Sequence, residues 1–123
     1  MSKGDKDELP PLAERRPVPR KRVLLGGVAA YENGSYSLKC QIRDLNDKGA
    51  RITVSSRQAL PEELYLIIMR DHLVHKARLI WRKGEQAGLE FLTTEDVRTL
   101  SDPGLKYLTR IYEGQNTVCL TWR

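Results

Sequence analysis

The chain of 123 residues is poor in the residue types on which most metal and catalytic sites depend. It has two cysteines, Cys40 and Cys119, and two histidines, His72 and His75. The cysteines lack the short spacing of a metal site, and the histidines flank a predicted hairpin tip, where they would not share one face. The sequence also has no Gly-rich phosphate loop, serine nucleophile elbow or Cys–His pairing. We therefore expect neither a metal site nor enzymatic activity.

Long hydrophobic runs are absent as well. The longest candidate, residues 64–69, has the length of a strand. A membrane span would need roughly 18–20 apolar residues. The N-terminus is polar and charged, which does not match a secretory signal, and two isolated thiols are typical of a reducing compartment. We expect a stand-alone cytoplasmic protein with one folded domain.

Positive charge is concentrated near the N-terminus. The chain has 21 basic and 16 acidic residues, a net charge of +5. Residues 14–22 contain five of the basic side chains and a single glutamate. Four prolines exclude a helix from the first 22 residues, which also contain few large apolar side chains. We therefore divide the chain into a flexible arm, residues 1–22, and a folded domain, residues 23–123, and expect the arm to contact an anionic partner.

Alternating apolar and polar residues predict a domain that is mainly β. The pair Asn33-Gly34 marks a hairpin turn, and further turn residues separate the other apolar segments. About six short strands result, a pattern typical of a small antiparallel barrel or sandwich. The predicted strands cover residues 23–31, 36–43, 50–54, 64–69, 75–81 and 88–92. In the fifth of them, Trp81 is assigned to the face that points into the core.

The C-terminal part of the sequence changes to a helical period. Asp102 suits an N-cap and Pro103 the first helical position, and apolar residues follow at helical spacing. We predict a helix that begins here and ends at Gly114. Residues 94–100 are compatible with a short additional helix, and residues 117–122 with a last strand.

Two arginines of the arm, Arg16 and Arg20, form an R-x-x-x-R spacing, with Arg15 beside them. Guanidinium groups suit phosphates and the O6/N7 edge of guanine, and the arm offers these side chains no core in which to pack. A second pair with the same spacing, Arg78 and Arg82, is on the outward face of a predicted strand and is interpreted as solvent-exposed. The pair in the arm is therefore the better candidate for binding an anion.

The segment from Asp44 to Gly49 has the composition of a tight turn. Asp and Asn side chains bond to nearby backbone in turns, and glycine tolerates a positive φ. Beside a basic arm, the same segment also suits a nucleotide base, because an aspartate carboxylate accepts hydrogen bonds from the N1–H and N2–H2 groups of guanine. Both interpretations remain open at this point.

Together, the arm and the turn resemble the PilZ domain family of bacterial receptors for the second messenger cyclic di-GMP. The family pattern is R-x-x-x-R followed by D/N-x-S-x-x-G. Arg16, Arg20, Asp44 and Gly49 fit this pattern, and Asn46 stands where the family has serine.

The resemblance extends from residue 14 to about residue 92 and includes the segments Ala77-Arg-Leu-Ile-Trp81 and Gly88-Leu-Glu-Phe91. It implies a six-stranded antiparallel β-barrel of PilZ type with a C-terminal α-helix and a flexible basic N-terminal arm. It also implies that the arginines bind the phosphates and guanines of cyclic di-GMP while the turn contacts a base. The candidate ligand-binding residues are Arg15, Arg16, Arg20, Asp44, Asn46 and Gly49.

The function implied is a receptor that relays the cyclic di-GMP signal to a protein partner, in the control of motility or surface behaviour, with no cofactor beyond that ligand. One alternative is an adaptor PilZ domain that has lost nucleotide binding and acts through protein contacts. Asn46 favours this alternative, whereas the arginines of the arm and Asp44 argue against it. A nucleic-acid binder is a second alternative, but aromatic residues are 7% of the chain and form no evident stacking platform. An enzyme is the least supported.

Overall fold

The computed structural model describes the backbone of residues 21–122 and the side chains of residues 23–115. Six antiparallel strands close into a barrel in the order β1-β2-β3-β6-β5-β4, which confirms the predicted fold class. The strands are β1 (Lys21–Tyr31), β2 (Tyr36–Leu45), β3 (Gly49–Thr53), β4 (Glu63–Ile68), β5 (Leu73–Lys83) and β6 (Gln86–Asp96).

The first strand begins two residues before its predicted start. Lys21 and Arg22, which we assigned to the arm, pair with Leu45 and Asp44 in the β1–β2 ladder. The rest of the predicted arm, with the candidate ligand residues Arg15, Arg16 and Arg20, lies outside the described residues. The division of the chain into arm and domain therefore stays a prediction.

The barrel interior is filled by one face of each strand. In β4, the alternating residues Leu64, Leu66 and Ile68 are almost completely buried. They pack against inward residues of the other strands, among them Ala29, Tyr31, Cys40, Ile42, Ala50, Ile52, Val54, Ala77, Ala87 and Leu89. Burial raises the pKa of the Cys40 thiol to about 12, so this thiol stays protonated and unreactive at neutral pH.

A second core covers the outer face of β1 and β4. Val28 of β1 and Ile67 of β4 point away from the barrel interior and are also buried. They pack against Leu100, Leu108 and other residues of the C-terminal part of the chain. Both strands are therefore apolar on both faces, which explains why their sequences read as nearly continuous apolar runs.

The C-terminal helix α1 spans Lys106–Trp122. The Asp102 carboxylate accepts a hydrogen bond from the Gly104 N–H at 2.8 Å, which confirms the N-cap, although it caps a 3-10 turn, Pro103–Leu105, that precedes α1. The predicted helix end at Gly114 is wrong, and residues 117–122 continue the helix instead of forming a strand. A helical glycine costs only about 1 kcal/mol relative to alanine, which the hydrogen bonds of the following turns can outweigh.

The predicted helix at residues 94–100 is also not formed, except for its last turn. β6 continues to Asp96, and a 3-10 turn, Val97–Thr99, follows. Within the described part of the chain, no helix combines the length and the apolarity that crossing a membrane requires.

A bulge in β5 changes the face to which Trp81 belongs. The register of β5 against β6 shifts between Leu79 and Trp81, so that Ile80 is an extra residue. The assignment of Trp81 to the core is therefore wrong: its side chain is 40% exposed, and that of Ile80 is 56% exposed. An unpaired bulge residue moves each later side chain to the opposite face of the strand.

Candidate functional site

The hairpin loop between β2 and β3 is closed by the side chain of Asn46. Its Oδ1 accepts hydrogen bonds from the backbone N–H of Lys48 at 2.7 Å and of Gly49 at 2.9 Å. The Asn46 N–H donates to the Gly49 carbonyl at 3.0 Å. This arrangement is an Asx turn, so the carbonyl oxygen of Asn46 helps to shape the loop. The loop is shorter than the predicted turn, because Asp44 belongs to β2 and Gly49 to β3.

Gly49 is required by the close approach of β3 and β6. A Cβ atom at this position would lie 2.2 Å from the carbonyl oxygen of Leu89. No side chain fits in that space, and the neighbouring atom is backbone, which cannot rotate away. The glycine therefore brings the loop of Asn46 against β6, where Lys48 accepts a hydrogen bond from the Phe91 N–H at 2.7 Å.

Four residues form a row across four neighbouring strands. Asp44 of β2 lies opposite Arg51 of β3, and Arg51 lies opposite Gly88 of β6. Gly88 in turn lies opposite Trp81 of β5. The register of the barrel thus brings a motif carboxylate, a guanidinium and an indole onto adjacent strands, although the sequence separates them by up to 37 positions.

The guanidinium of Arg51 is held at two points in this row. Its Nε donates to Oδ2 of Asp44, and its Nη1 donates to Oε1 of Gln86 at 2.9 Å. The side chains of Asp44 and Arg51 are 14% and 25% exposed, so the ion pair is partly shielded from water.

Trp81 covers Gly88 at the other end of the row. A Cβ at Gly88 would lie 2.1 Å from the indole Nε1, so the ring occupies the space that a side chain would fill. Between the indole and the loop of Asn46 lies a cleft of about 330 Å³. Lys48, Gly49 and Glu90 also line this cleft. An exposed indole beside a loop of this kind offers an aromatic face on which a base can stack.

A second cavity, of about 500 Å³, lies on the other side of the same loop. Asn46 and Asp47 form one wall, and Arg70 and Asp71 of the β4–β5 hairpin form another. Arg70 donates to Asp71 at 2.7 Å, and this hydrogen bond lowers the pKa of the Asp71 carboxyl. Val23, near the start of β1, also lines the cavity.

His75 forms a buried part of the wall of this second cavity. Its ring stacks on Phe91 with 3.7 Å between the centroids, and its Nδ1 lies 2.8 Å from Oγ1 of Thr94. Burial lowers the pKa of His75 to about 4, although the negative charge of Asp71 acts in the opposite direction. The imidazole of His75 is therefore neutral at physiological pH.

His72 has a different partner. Its Nδ1 lies 2.6 Å from the Oη of Tyr112.

No metal site is formed by these histidines in the part of the chain that the structure describes. Within residues 23–115, no cluster of three His, Cys, Asp or Glu side chains is suited to holding a metal ion.

The second R-x-x-x-R pair has partners within the barrel. Arg78 donates from Nη2 to Glu90 at 2.9 Å, in an exposed ion pair. Arg82 donates to the carbonyl groups of Ser55 at 2.9 Å and Gln58 at 2.8 Å, and so fixes the segment that follows β3. Arg82 therefore has a structural role, and Arg78 has the surface position expected from the sequence.

Of the six candidate ligand residues, Asp44, Asn46 and Gly49 lie together at one end of β2 and β3. The three arginines lie outside the described residues. The structure adds Arg51, Gln86 and Trp81, which the sequence analysis missed. The alternation in β3 puts Arg51 and Thr53 on one face, but no local signal shows which residue of another strand faces them.

One comparison with known proteins identifies a family, and another finds structures with a similar fold. A family model described as PilZ domain matches residues 14–102. The crystal structure of the PilZ domain of CeSA from a cellulose-synthesizing bacterium has a TM-score of 0.51 at 19% identity, covering 79% of this chain and 97% of that chain. An uncharacterized protein from Legionella has a TM-score of 0.43 at 17% identity, covering 80% of this chain and 95% of its own. No curated protein matches the sequence significantly. The CeSA likeness shows the fold alone.

Proposed function

The chain belongs to the PilZ domain family, a family of cyclic di-GMP receptors, and on this basis we propose that it binds cyclic di-GMP and relays the signal to a protein partner. PilZ domains are binding and adaptor domains, so the proposal includes no catalytic step. We further propose a cytoplasmic location, because the cysteine content of the sequence is typical of a reducing compartment. A role in motility or surface behaviour rests on the family resemblance.

The observation that carries the proposal is the register of β1 against the end of β2. Lys21 lies opposite Leu45, and Arg22 lies opposite Asp44. Arg20 precedes Lys21 directly in the sequence, and consecutive Cα atoms are about 3.8 Å apart. The R-x-x-x-R motif therefore ends one residue before the strand that starts at the barrel end carrying the D-x-N-x-x-G segment. This supports one site built from both motifs.

The chemistry of the two motifs is complementary to the ligand. The arm contributes guanidinium groups for the phosphates and for the O6/N7 edges of the guanines. Asp44 contributes a carboxylate for the N1–H and N2–H2 groups on the opposite edge. The cleft between Trp81 and the Asn46 loop offers an aromatic face to a base. Cyclic di-GMP carries the phosphates, the guanine edges and the base faces that these protein groups would bind.

Calorimetric titration with cyclic di-GMP tests the proposal. Binding by the wild-type chain is expected, and Arg16→Ala or Arg20→Ala should weaken it about ten- to a hundredfold, since a hydrogen bond to a charged group is worth about 1.5–3 kcal/mol. Arg78→Ala is the matched control: it removes an arginine of the other R-x-x-x-R pair, whose partner is the surface residue Glu90. Equal losses for Arg78→Ala and Arg16→Ala would contradict the assignment of the arm pair.

An adaptor that binds no nucleotide is the second candidate. It is favoured by Asn46 at the serine position of the family pattern, with Oδ1 bonded to the backbone of its own loop. Absence of binding by the wild-type chain in the same titration would select it.

A further inference from the structure

We propose that Arg51 is a positioning residue, which orients the Asp44 carboxylate so that it recognises the guanine base. The inference rests on the proposed cyclic di-GMP site and extends it to a residue outside both motifs. Arg51 follows the D-x-N-x-x-G segment by two positions and belongs to a different strand from Asp44.

Arg51 has a fixed orientation. Its guanidinium is planar, and it is bonded through two different nitrogen atoms to side chains of the strands on either side. Nε contacts Asp44 of β2, and Nη1 contacts Gln86 of β6 at 2.9 Å. A planar group held at two points can rotate little, so it also restricts the carboxylate that it bonds.

The contact with Arg51 leaves the Asp44 carboxylate able to bind a ligand. Two carboxylate oxygens offer about four acceptor positions. Arg51 occupies one position on Oδ2 of Asp44, and among the described residues no other side chain donates to this carboxylate. The remaining positions, including both on Oδ1, suit the parallel N1–H and N2–H2 donors of a guanine.

The Asp44–Arg51 pair differs from an ordinary surface ion pair. An exposed pair such as Arg78–Glu90, with side chains 45% and 48% exposed, contributes little to stability and orients nothing else. The Asp44–Arg51 pair is only 14% and 25% exposed, and it lies beside the loop of Asn46. Removing Arg51 would leave this shielded carboxylate without its partner, so Arg51 is expected to affect ligand affinity through Asp44, and any accompanying loss of stability has to be measured separately.

A double-mutant cycle with cyclic di-GMP titrations tests the inference. Arg51→Ala should lower the affinity about tenfold in the wild-type background and cause no further loss in the Asp44→Asn background. Arg98→Ala is the control, because it removes an arginine from an exposed pair with Asp96, at 2.8 Å, on the 3-10 turn after β6. The affinity of the Arg98→Ala variant for cyclic di-GMP should equal that of the wild type. Thermal melting of each variant checks that it is folded.

A second readout uses cyclic di-IMP, whose hypoxanthine bases lack the 2-amino group. The wild type should prefer cyclic di-GMP, because the N2–H2 donor reaches a correctly oriented carboxylate. Arg51→Ala should reduce this preference, whereas a purely structural role would leave the ratio of the two affinities unchanged. Arg51→Lys retains the charge without the planar fork and should restore little of the preference.

Several results would overturn the inference. An equal loss in both backgrounds would mean that Arg51 contacts the ligand itself, and a gain in affinity for Arg51→Ala would mean that Arg51 competes with the ligand for Asp44. Unchanged affinity and unchanged preference would reduce the pair to a structural contact. If the wild-type chain bound neither dinucleotide, the proposed function would fail and the inference with it. Binding that does not depend on Arg51 would remove the inference alone.

Discussion

Asn46 shows how a single side chain can serve the fold at a position where the family uses serine. Its Oδ1 accepts two backbone hydrogen bonds, which close the β2–β3 loop. A serine hydroxyl can also accept from a nearby backbone N–H, although more weakly. The residue type at this position therefore affects the geometry of the loop as well as any contact with a ligand.

Substitution of Asn46 should accordingly change stability. We expect Asn46→Ala to lower the free energy of unfolding by about 0.5–1.5 kcal/mol, the net value of a typical hydrogen bond, and Asn46→Ser to lower it less. Urea denaturation measures this difference. Equal stability of Asn46→Ala and the wild type would contradict the Asx turn. Titration of Asn46→Ser with cyclic di-GMP then tests the site, since a gain in affinity would show that the hydroxyl is the better ligand contact.

His75 makes the stability of the barrel dependent on pH. Burial lowers the pKa of its imidazole from 6.5 to about 4 in the folded chain. As the pH falls, His75 is therefore protonated at a higher pH in the unfolded chain than in the folded chain. The free energy of unfolding keeps its full His75-linked part above about pH 6.5 and loses that part as the pH falls towards 4. The loss should be on the order of 2–3 kcal/mol at pH 4. Urea denaturation between pH 4 and 7 measures it.

The control for this pH profile is His75→Phe, which keeps an aromatic ring against Phe91 but cannot titrate. Its stability should change less between pH 6.5 and 4 than that of the wild type. The pKa of Asp96 is about 2, held low by its hydrogen bonds with Arg98, so this carboxyl loses its charge mainly below that window. Parallel profiles for the two proteins would show that another group causes the acid sensitivity.

At the scale of the strands, the close approach of β3 to β6 leaves no space for a side chain at position 49. Gly49→Ala would force a Cβ against the Leu89 carbonyl oxygen, 2.2 Å away, and push the two backbones apart. We expect a loss of about 1–3 kcal/mol in the free energy of unfolding, the range of overpacking substitutions. Gly26→Ala is the matched control in β1, because a Cβ there meets no atom within 4 Å. Equal effects of the two substitutions in urea denaturation would contradict the close approach.

The strands could be predicted from sequence because one face of each is apolar, but their bulges could not. A bulge adds one residue to a strand without any change in the local pattern of residue types. The side chains that follow it then point to the opposite face of the sheet. The shift before Trp81 is one case, and a shift between Lys76 and Ala77 in the same β5–β6 ladder is another. Register depends on the partner strand, which a single sequence does not show.

The helix boundary could not be predicted for a different reason. Gly114 is typical of a C-cap, and capping statistics favour an end there. In the structure the glycine lies inside α1, and a Cβ at that position would meet no atom within 4 Å. Neither a positive φ nor a close contact therefore requires glycine at this position.

The candidate site also contains residues that the sequence could predict and residues that it could not. Asp44, Asn46 and Gly49 are close in sequence, so a motif was enough to identify them. Arg51 and Trp81 could not be identified, because they join the site only through the register of β2, β3, β6 and β5. Side chains brought together across several strands carry no signal in the spacing of a sequence.

At the scale of the whole molecule, β1 connects the two cores to the candidate site. Its Ala29 packs in the barrel interior, and its Val28 packs against the C-terminal part of the chain. The same strand begins at Lys21, opposite Leu45 at the motif loop. Since the arginines of the arm precede this strand, we expect stability to depend on the barrel and ligand affinity to depend on the arm.

Thermal melting with and without cyclic di-GMP tests this separation. A ligand that binds only the folded state adds RT ln(1 + [L]/Kd), about 2.7 kcal/mol at a hundredfold excess over Kd, which should raise the Tm by several degrees. GMP should raise it much less, because it has one base and one phosphate. Arg16→Ala should melt at the wild-type temperature without ligand and lose most of the shift, whereas Arg98→Ala should keep both values. If Arg16→Ala already melted several degrees lower without ligand, the arm would be part of the folded core, and the separation between barrel and arm would be wrong.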